Sequence, residues 1–172
     1  MSTSIVFTFI GNDKPGLVEK LSNTVSEQGG NWLESRMSQL AGHFAGIARV
    51  QISSDKAEQL RSALSTLSGD DLSVSLEDPN TSHDIAGHKD IKLNLLGNDR
   101  PGIVKELSSA LAALHINVCE MNTQVSSAPM SAELLFSASA EIQVPAALDI
   151  GDLSDKLDDI ANQLDVDISL ED

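Results

Sequence analysis

Two short runs combine residue types that could hold a small charged molecule. Gly11-Asn12-Asp13-Lys14-Pro15-Gly16 and Gly97-Asn98-Asp99-Arg100-Pro101-Gly102 each place an acid and a cation ahead of a helical apolar pattern. A proline near the first helical turn presets φ and lacks an N–H that would have no partner there. The glycine lets a ligand or a neighbouring backbone come close. The N–H groups of Gly16, Leu17 and Val18, and of Gly102, Ile103 and Val104, then point outward where the helix dipole favours an anion. With Asp13 or Asn31 nearby, and Asp99 or Asn117 in the second run, this chemistry suits a zwitterion. Its carboxylate meets the N–H groups and its ammonium meets the Asp or Asn. The plainer reading makes Asp13 and Asp99 helix caps and Asn31 an ordinary strand-start residue after Gly29-Gly30.

Other reactive side chains are scattered. His83, Asp84 and His88 fall in a segment containing Gly87 that reads as a loop, so their four-residue interval is a poor metal site and no metal is expected. His43 and His115 sit in turns without a second ligand. Cys119 aligns with Leu33 and reads as a buried small hydrophobe; as the only cysteine it excludes an internal disulfide. Asp70-Asp71 and Asp158-Asp159 occupy a turn and a polar helix face, without the burial that tunes a general acid. Trp32 is expected at the sheet or at a domain interface. No catalytic constellation emerges, and no cofactor is implied.

The two runs belong to an internal repeat. Ile10 to Ser22 recurs as Leu96 to Ser108 at an offset of 86 residues, with 8 of 13 positions identical. The same offset carries Asn31 onto Asn117 and Glu34 onto Glu120, whereas Ser75-Leu76-Glu77-Asp78 matches Ser169-Leu170-Glu171-Asp172 at 94. About eight extra residues are therefore expected in the second copy, placed most simply around Ser139 to Asp149.

Periodicity gives each copy its elements. Ile5, Phe7, Phe9 and Ile91, Leu93, Leu95 alternate as strands. Leu17, Val18, Leu21, Val25 and Ile103, Val104, Leu107, Leu111, Leu114 recur at helical spacing. Asn31 to Leu40 and Phe44 to Ile52 predict a hairpin about Ala41-Gly42-His43; Asn117 to Ser126 and Ser131 to Ile142 predict another about Ala128-Pro129. A second helix follows in each copy, through Leu60 and Leu64 or Leu153 and Leu157, then a short strand at Ser73 to Leu76 or Val166 to Leu170. The order is βαββαβ twice: an α+β fold of two ferredoxin-like units, each an antiparallel sheet with helices on one face. Residues 1–78 form the first domain, 79–89 a polar linker, and 90–172 the second domain. Uncovered sheet edges lead us to expect pairing between the copies or with a second chain, hence a homodimer.

Charge narrows the partners. With 11 Lys+Arg against 26 Asp+Glu the net charge is −15, which disfavours direct nucleic-acid binding. Residues 1–78 carry 6 basic and 10 acidic groups; residues 79–172 carry 5 and 16. The acidic stretch Glu141 to Asp172 is a candidate protein-contact surface, against the plainer reading of a solvated helix face. No apolar run approaches a membrane span, and Met1 to Ile10 lacks the basic n-region of a secretory signal, so a cytoplasmic location is expected.

The Gly-x-Asp-[Lys/Arg]-Pro-Gly-[Leu/Ile]-Val turn, the helix after it, and Gly-Gly-Asn31 or Ile-Asn117 ahead of the next strand resemble an ACT domain. That family comprises small βαββαβ modules that bind amino acids and regulate enzymes or transcription. The tandem layout, with Glu34-Ser-Arg-Met-Ser-Gln-Leu-Ala-Gly-His-Phe-Ala-Gly-Ile47, resembles the glycine cleavage system transcriptional repressor family. The resemblance implies a non-enzymatic regulator that senses a small amino acid, with glycine or serine the family-weighted choice, and acts through a transcription activator or another regulatory protein. It implies ligand sites between paired domains at Gly11, Asn12, Asp13, Gly16, Leu17, Val18 and Asn31, with Gly97, Asn98, Asp99, Gly102, Ile103, Val104 and Asn117. Amino-acid-binding members often carry Asn where this chain has Asp13 and Asp99. The alternatives are a ligand-independent interaction module, or a regulatory relative of the ACT portion of a larger amino-acid or folate enzyme. The latter is disfavoured because nothing follows Asp172.

Overall fold

The computed structural model describes residues 1–79 and 87–172, and the chain divides into two compact units, each with its own core. His83 and Asp84 lie outside the described residues.

The first unit runs β1 (Ser2–Asn12), α1 (Leu17–Glu27), β2 (Asn31–Leu40), β3 (His43–Ser53), a short 3-10 turn (Ser54–Lys56), α2 (Ala57–Thr66) and β4 (Leu72–Glu77). The second runs β5 (His88–Asn98), α3 (Ile103–Ala113), β6 (Asn117–Ser127), β7 (Leu134–Pro145), α4 (Ile150–Leu164) and β8 (Val166–Glu171). Strand orders are β2-β3-β1-β4 and β6-β7-β5-β8, antiparallel throughout. This is the ferredoxin-like order expected from the sequence.

Alternation along the strands builds each core. Ile5, Phe7 and Phe9 of β1 and Ala48, Val50 and Ile52 of β3 face Leu21, Val25, Leu60 and Leu64 of the helices, all buried. Ile91, Leu93, Leu95, Leu107, Leu111, Leu153 and Leu157 do the same in the second unit. Full burial of one such side chain contributes roughly 1.5–3 kcal/mol, which is why these stripes decide which helix face turns inward.

Four local features depart from the sequence-based expectations. A β-bulge interrupts β2 between Trp32 and Glu34, and another interrupts β6 between Val118 and Glu120. The bulged residues are Leu33 and Cys119, and Cys119 is exposed rather than buried, because the extra residue breaks the two-residue alternation. Trp32 keeps its inward position, edge-on to Phe7 with ring centroids 5.6 Å apart.

The extra residues of the second copy also lie elsewhere. The offset is 86 at Gln39 and Val125 but 92 at their cross-strand partners Phe44 and Phe136, so six of the eight sit in the β6–β7 hairpin. The two-residue turn Ala41-Gly42, with φ 51° and 81°, suits a tight hairpin, whereas 128–133 forms a longer loop. Accordingly β7 begins at Leu134, later than expected. The remaining two residues lie between β7 and β8, where the offset reaches 94 at Leu72 and Val166. His88 and Lys89, read as linker, are the first residues of β5. Among the described residues no helix is long and apolar enough to cross a membrane.

Candidate functional site

The loop after each opening strand is held by its own unit. Asp13 N–H donates to the Gly42 carbonyl (3.0 Å) and Asp99 N–H to the Leu134 carbonyl (2.9 Å), tying each loop to the neighbouring hairpin. Gly16 and Gly102 precede the helices with φ of 92° and 96°. A Cβ at either would meet nothing within 4 Å, so the positive φ, not a close neighbour, is what calls for glycine. Pro15 and Pro101 stand before these glycines, outside the helices.

Neither α1 nor α3 has a side-chain cap, so Asp13 and Asp99 are not the helix caps that the plainer reading made them. Both aspartates are exposed beside uncapped first-turn N–H groups. Asp13, Gly16, Leu17 and Val18 line one shallow groove with Lys14, Glu19 and Phe44. Leu17 and Ile103 are buried, so they offer their backbone; Val18 and Val104 stay 40% and 41% exposed.

The other candidates have different surroundings. Gly11 is buried in β1, and a Cβ there would come within 2.7 Å of the Asp71 carbonyl; one on Gly97 would overlap Val166. These two glycines allow a close approach within the fold. Asn12 turns toward the α2–β4 connection, its N–H donating to the Asp71 carbonyl (3.1 Å) and its Nδ2 to the Asp71 carboxylate (3.3 Å). Lys14 pairs with the same carboxylate at 3.1 Å. Asn98 is exposed at the end of β5.

Asn31 is not near the loop of its own unit. It opposes Gln51, which opposes Ser4, eight residues along β1 from Asn12. At about 3.3 Å per residue this is ~26 Å. Asn117 stands likewise level with Gln143 and Asp90, at the far end of β5 from Asn98. One ligand therefore cannot touch Asp13 and Asn31 of the same unit.

Two residues escaped the sequence reading. Phe44 flanks the groove and stacks on Phe9 with centroids 5.9 Å apart; its counterpart Phe136 is hidden from an 86-residue comparison by the hairpin insertion. Asp71, set aside as half of a turn pair, braces the first loop; comparing the connections between the last helix and strand of each copy would have flagged it. Among the described residues, no cluster of three or more His, Cys, Asp or Glu could hold a metal.

The sequence profile of the ACT domain matches residues 3–76 and again 89–171. The chain belongs to the ACT domain family. It is a tandem of two ACT regulatory domains. A crystal structure of an unknown protein from Galdieria sulphuraria is similar over 99% of this chain and 98% of its own, with 28% identity and a TM-score of 0.88. A protein provisionally described as a glycine cleavage system transcriptional repressor is similar over 99% and 97%, with 20% identity and a TM-score of 0.72, a likeness of fold. No curated protein matches the ACT tandem by sequence.

Proposed function

We propose that this tandem ACT protein is a non-catalytic regulator that binds a small amino acid at its strand-to-helix loops and signals to a protein partner. The observation that carries this reading is the uncapped first turn of α1 with the exposed Asp13 carboxylate beside it. The N–H groups of Gly16, Leu17 and Val18 receive the ligand's carboxylate and Asp13 its ammonium. The Asn31 or Asn117 partner is supplied by a second copy of the chain, since each stands at the wrong end of its own sheet. That requirement favours paired ACT domains and a homodimer. The two domains of this reading are residues 1–78 and the unit that opens with β5 at His88.

Glycine or serine is the ligand proposed, by analogy with the repressor that shares the fold. The output is proposed to pass to a DNA-bound activator, because a net charge of −15 disfavours contact with DNA itself. The exposed Asp152, Asp155, Asp158 and Asp159 of α4 suit a basic patch on such a partner. Calorimetric titration with each proteinogenic amino acid tests the reading. Heat of binding with the wild type, lost in Asp13→Ala/Asp99→Ala, is expected; no heat with any of them would end the sensor reading and leave an interaction module.

A further inference from the structure

We infer that the open face of the first sheet is a contact for a second copy of this chain, so that two first units pack sheet on sheet. The inference does not depend on the amino-acid reading and rests on a different part of the molecule.

Each sheet turns one face to its helices and one face away from them. Register fixes which residues share the open face. In the first unit Val6 and Ile10 of β1 stand level with Arg49 and Ala45 of β3, and Ile47 lies between those two on the same face. At the same levels of the second sheet Lys92 replaces Val6, Ser137 replaces Ala45 and Ser139 replaces Ile47, while Leu96 alone stays apolar in the place of Ile10. The fold therefore does not require the apolar set, since a sheet of the same order carries polar residues there. Ile10 and Ile47 remain 51% and 47% exposed. A hollow of about 200 Å³ opens on this face between Val6, Ile47, Arg36 and Arg49, room for an aliphatic side chain from across a contact. Exposed apolar surface gathered on one face is what association buries.

Charge commits the face to a second copy. The chain carries −15, so two copies repel over most of their surface. This face is neutral: Arg36 and Arg49 stand against Glu34 and Glu77, and Glu34 and Arg49 are joined at 2.8 Å. The matching face of the second unit sets Lys92 alone against Glu120, Glu141, Asp167 and Glu171. The first face is also complementary to itself. Glu34, Arg36 and Arg49 leave β2 and β3 with an excess of one positive charge, and Glu77 gives β4 a negative one. A two-fold axis parallel to the strands turns the β2 side of one copy toward the β4 side of the other, within the range of aligned sheet packing. Such a contact closes on itself, so that it makes a dimer and not a chain of copies.

Sedimentation of the full chain over a concentration series tests this. Association that rises with concentration is expected. Val6→Lys/Ile47→Ser, which installs the second sheet's residues on the solvent side, should raise the dissociation constant roughly 100-fold, because each change is felt twice across a two-fold contact. Arg49→Glu leaves the apolar set in place and should raise it roughly ten-fold by repulsion, which gives an independent variant. Leu96→Ser, on the face of the second sheet, should leave it unchanged. Circular dichroism confirms that each variant keeps the fold. Wild type that stays monomeric at every concentration would overturn the inference. So would association that Val6→Lys/Ile47→Ser and Arg49→Glu leave as it was, or that Leu96→Ser weakens as much as they do; the pairing that Asn31 calls for would then be a contact made elsewhere on the chain.

Discussion

The two ACT copies share a loop sequence yet support it differently. Both loops hang from the adjacent hairpin through an aspartate N–H, and both helices begin uncapped after a left-handed glycine. They part at the hairpin, a two-residue turn against the six residues 128–133, and in how the last helix meets the last strand, through 67–71 against Asp165 alone. Duplication preserved what the backbone geometry demands, the glycine φ and the core stripes. It let the hairpin and the form of the last connection diverge. A repeated motif is therefore evidence of repeated folding constraints first, and repeated chemistry must be argued from the surroundings.

That comparison can be broken at several levels. The largest effects belong to the cores. Leu64→Ala and Leu157→Ala should each cost ~2–5 kcal/mol, and because each unit has its own core, each substitution should lower one step of a calorimetric unfolding profile. A single transition lowered equally by both would show that the units unfold together. Next come the two glycines with close neighbours. Gly11→Ala pushes a methyl against the Asp71 carbonyl and Gly97→Ala against Val166, each losing roughly 1–3 kcal/mol in denaturant titration.

Gly16→Ala and Gly102→Ala should lose about 1–2 kcal/mol each and by similar amounts, because the φ requirement is common to both copies. A large disparity would point to strain in one loop only. The smallest effects separate caps from ligands. Asp149 caps α4, accepting from Gly151 N–H at 2.9 Å, so Asp149→Ala should cost ~1 kcal/mol. Asp13→Ala and Asp99→Ala, which remove no cap, should stay within about 0.5 kcal/mol.

Much of this architecture was legible in the residues themselves. The 86-residue repeat, the alternation of Ile5, Phe7 and Phe9, and the spacing of Leu107 and Leu111 led to the βαββαβ order. Legibility failed where a local event resets the count. The bulges at Leu33 and Cys119 reverse which side chain faces inward, and nothing in the residue types there announces them. The hairpin insertion moved Phe136 out of alignment with Phe44, so the groove residue Phe44 has no counterpart visible at the 86-residue offset. Asn31 shares the loop's repeat but lies at the opposite end of the sheet, since a helix and its return carry the chain across the whole unit. Motif spacing measures distance along the chain, and only topology turns it into distance in space.

The most direct test of the sensor reading is a thermal-unfolding screen of the full chain against the twenty amino acids. A ligand present at a hundred times its dissociation constant adds about 2.7 kcal/mol, enough to raise the transition temperature visibly. A rise with glycine or serine that disappears in Asp13→Ala/Asp99→Ala is expected. A flat screen across all twenty would contradict it.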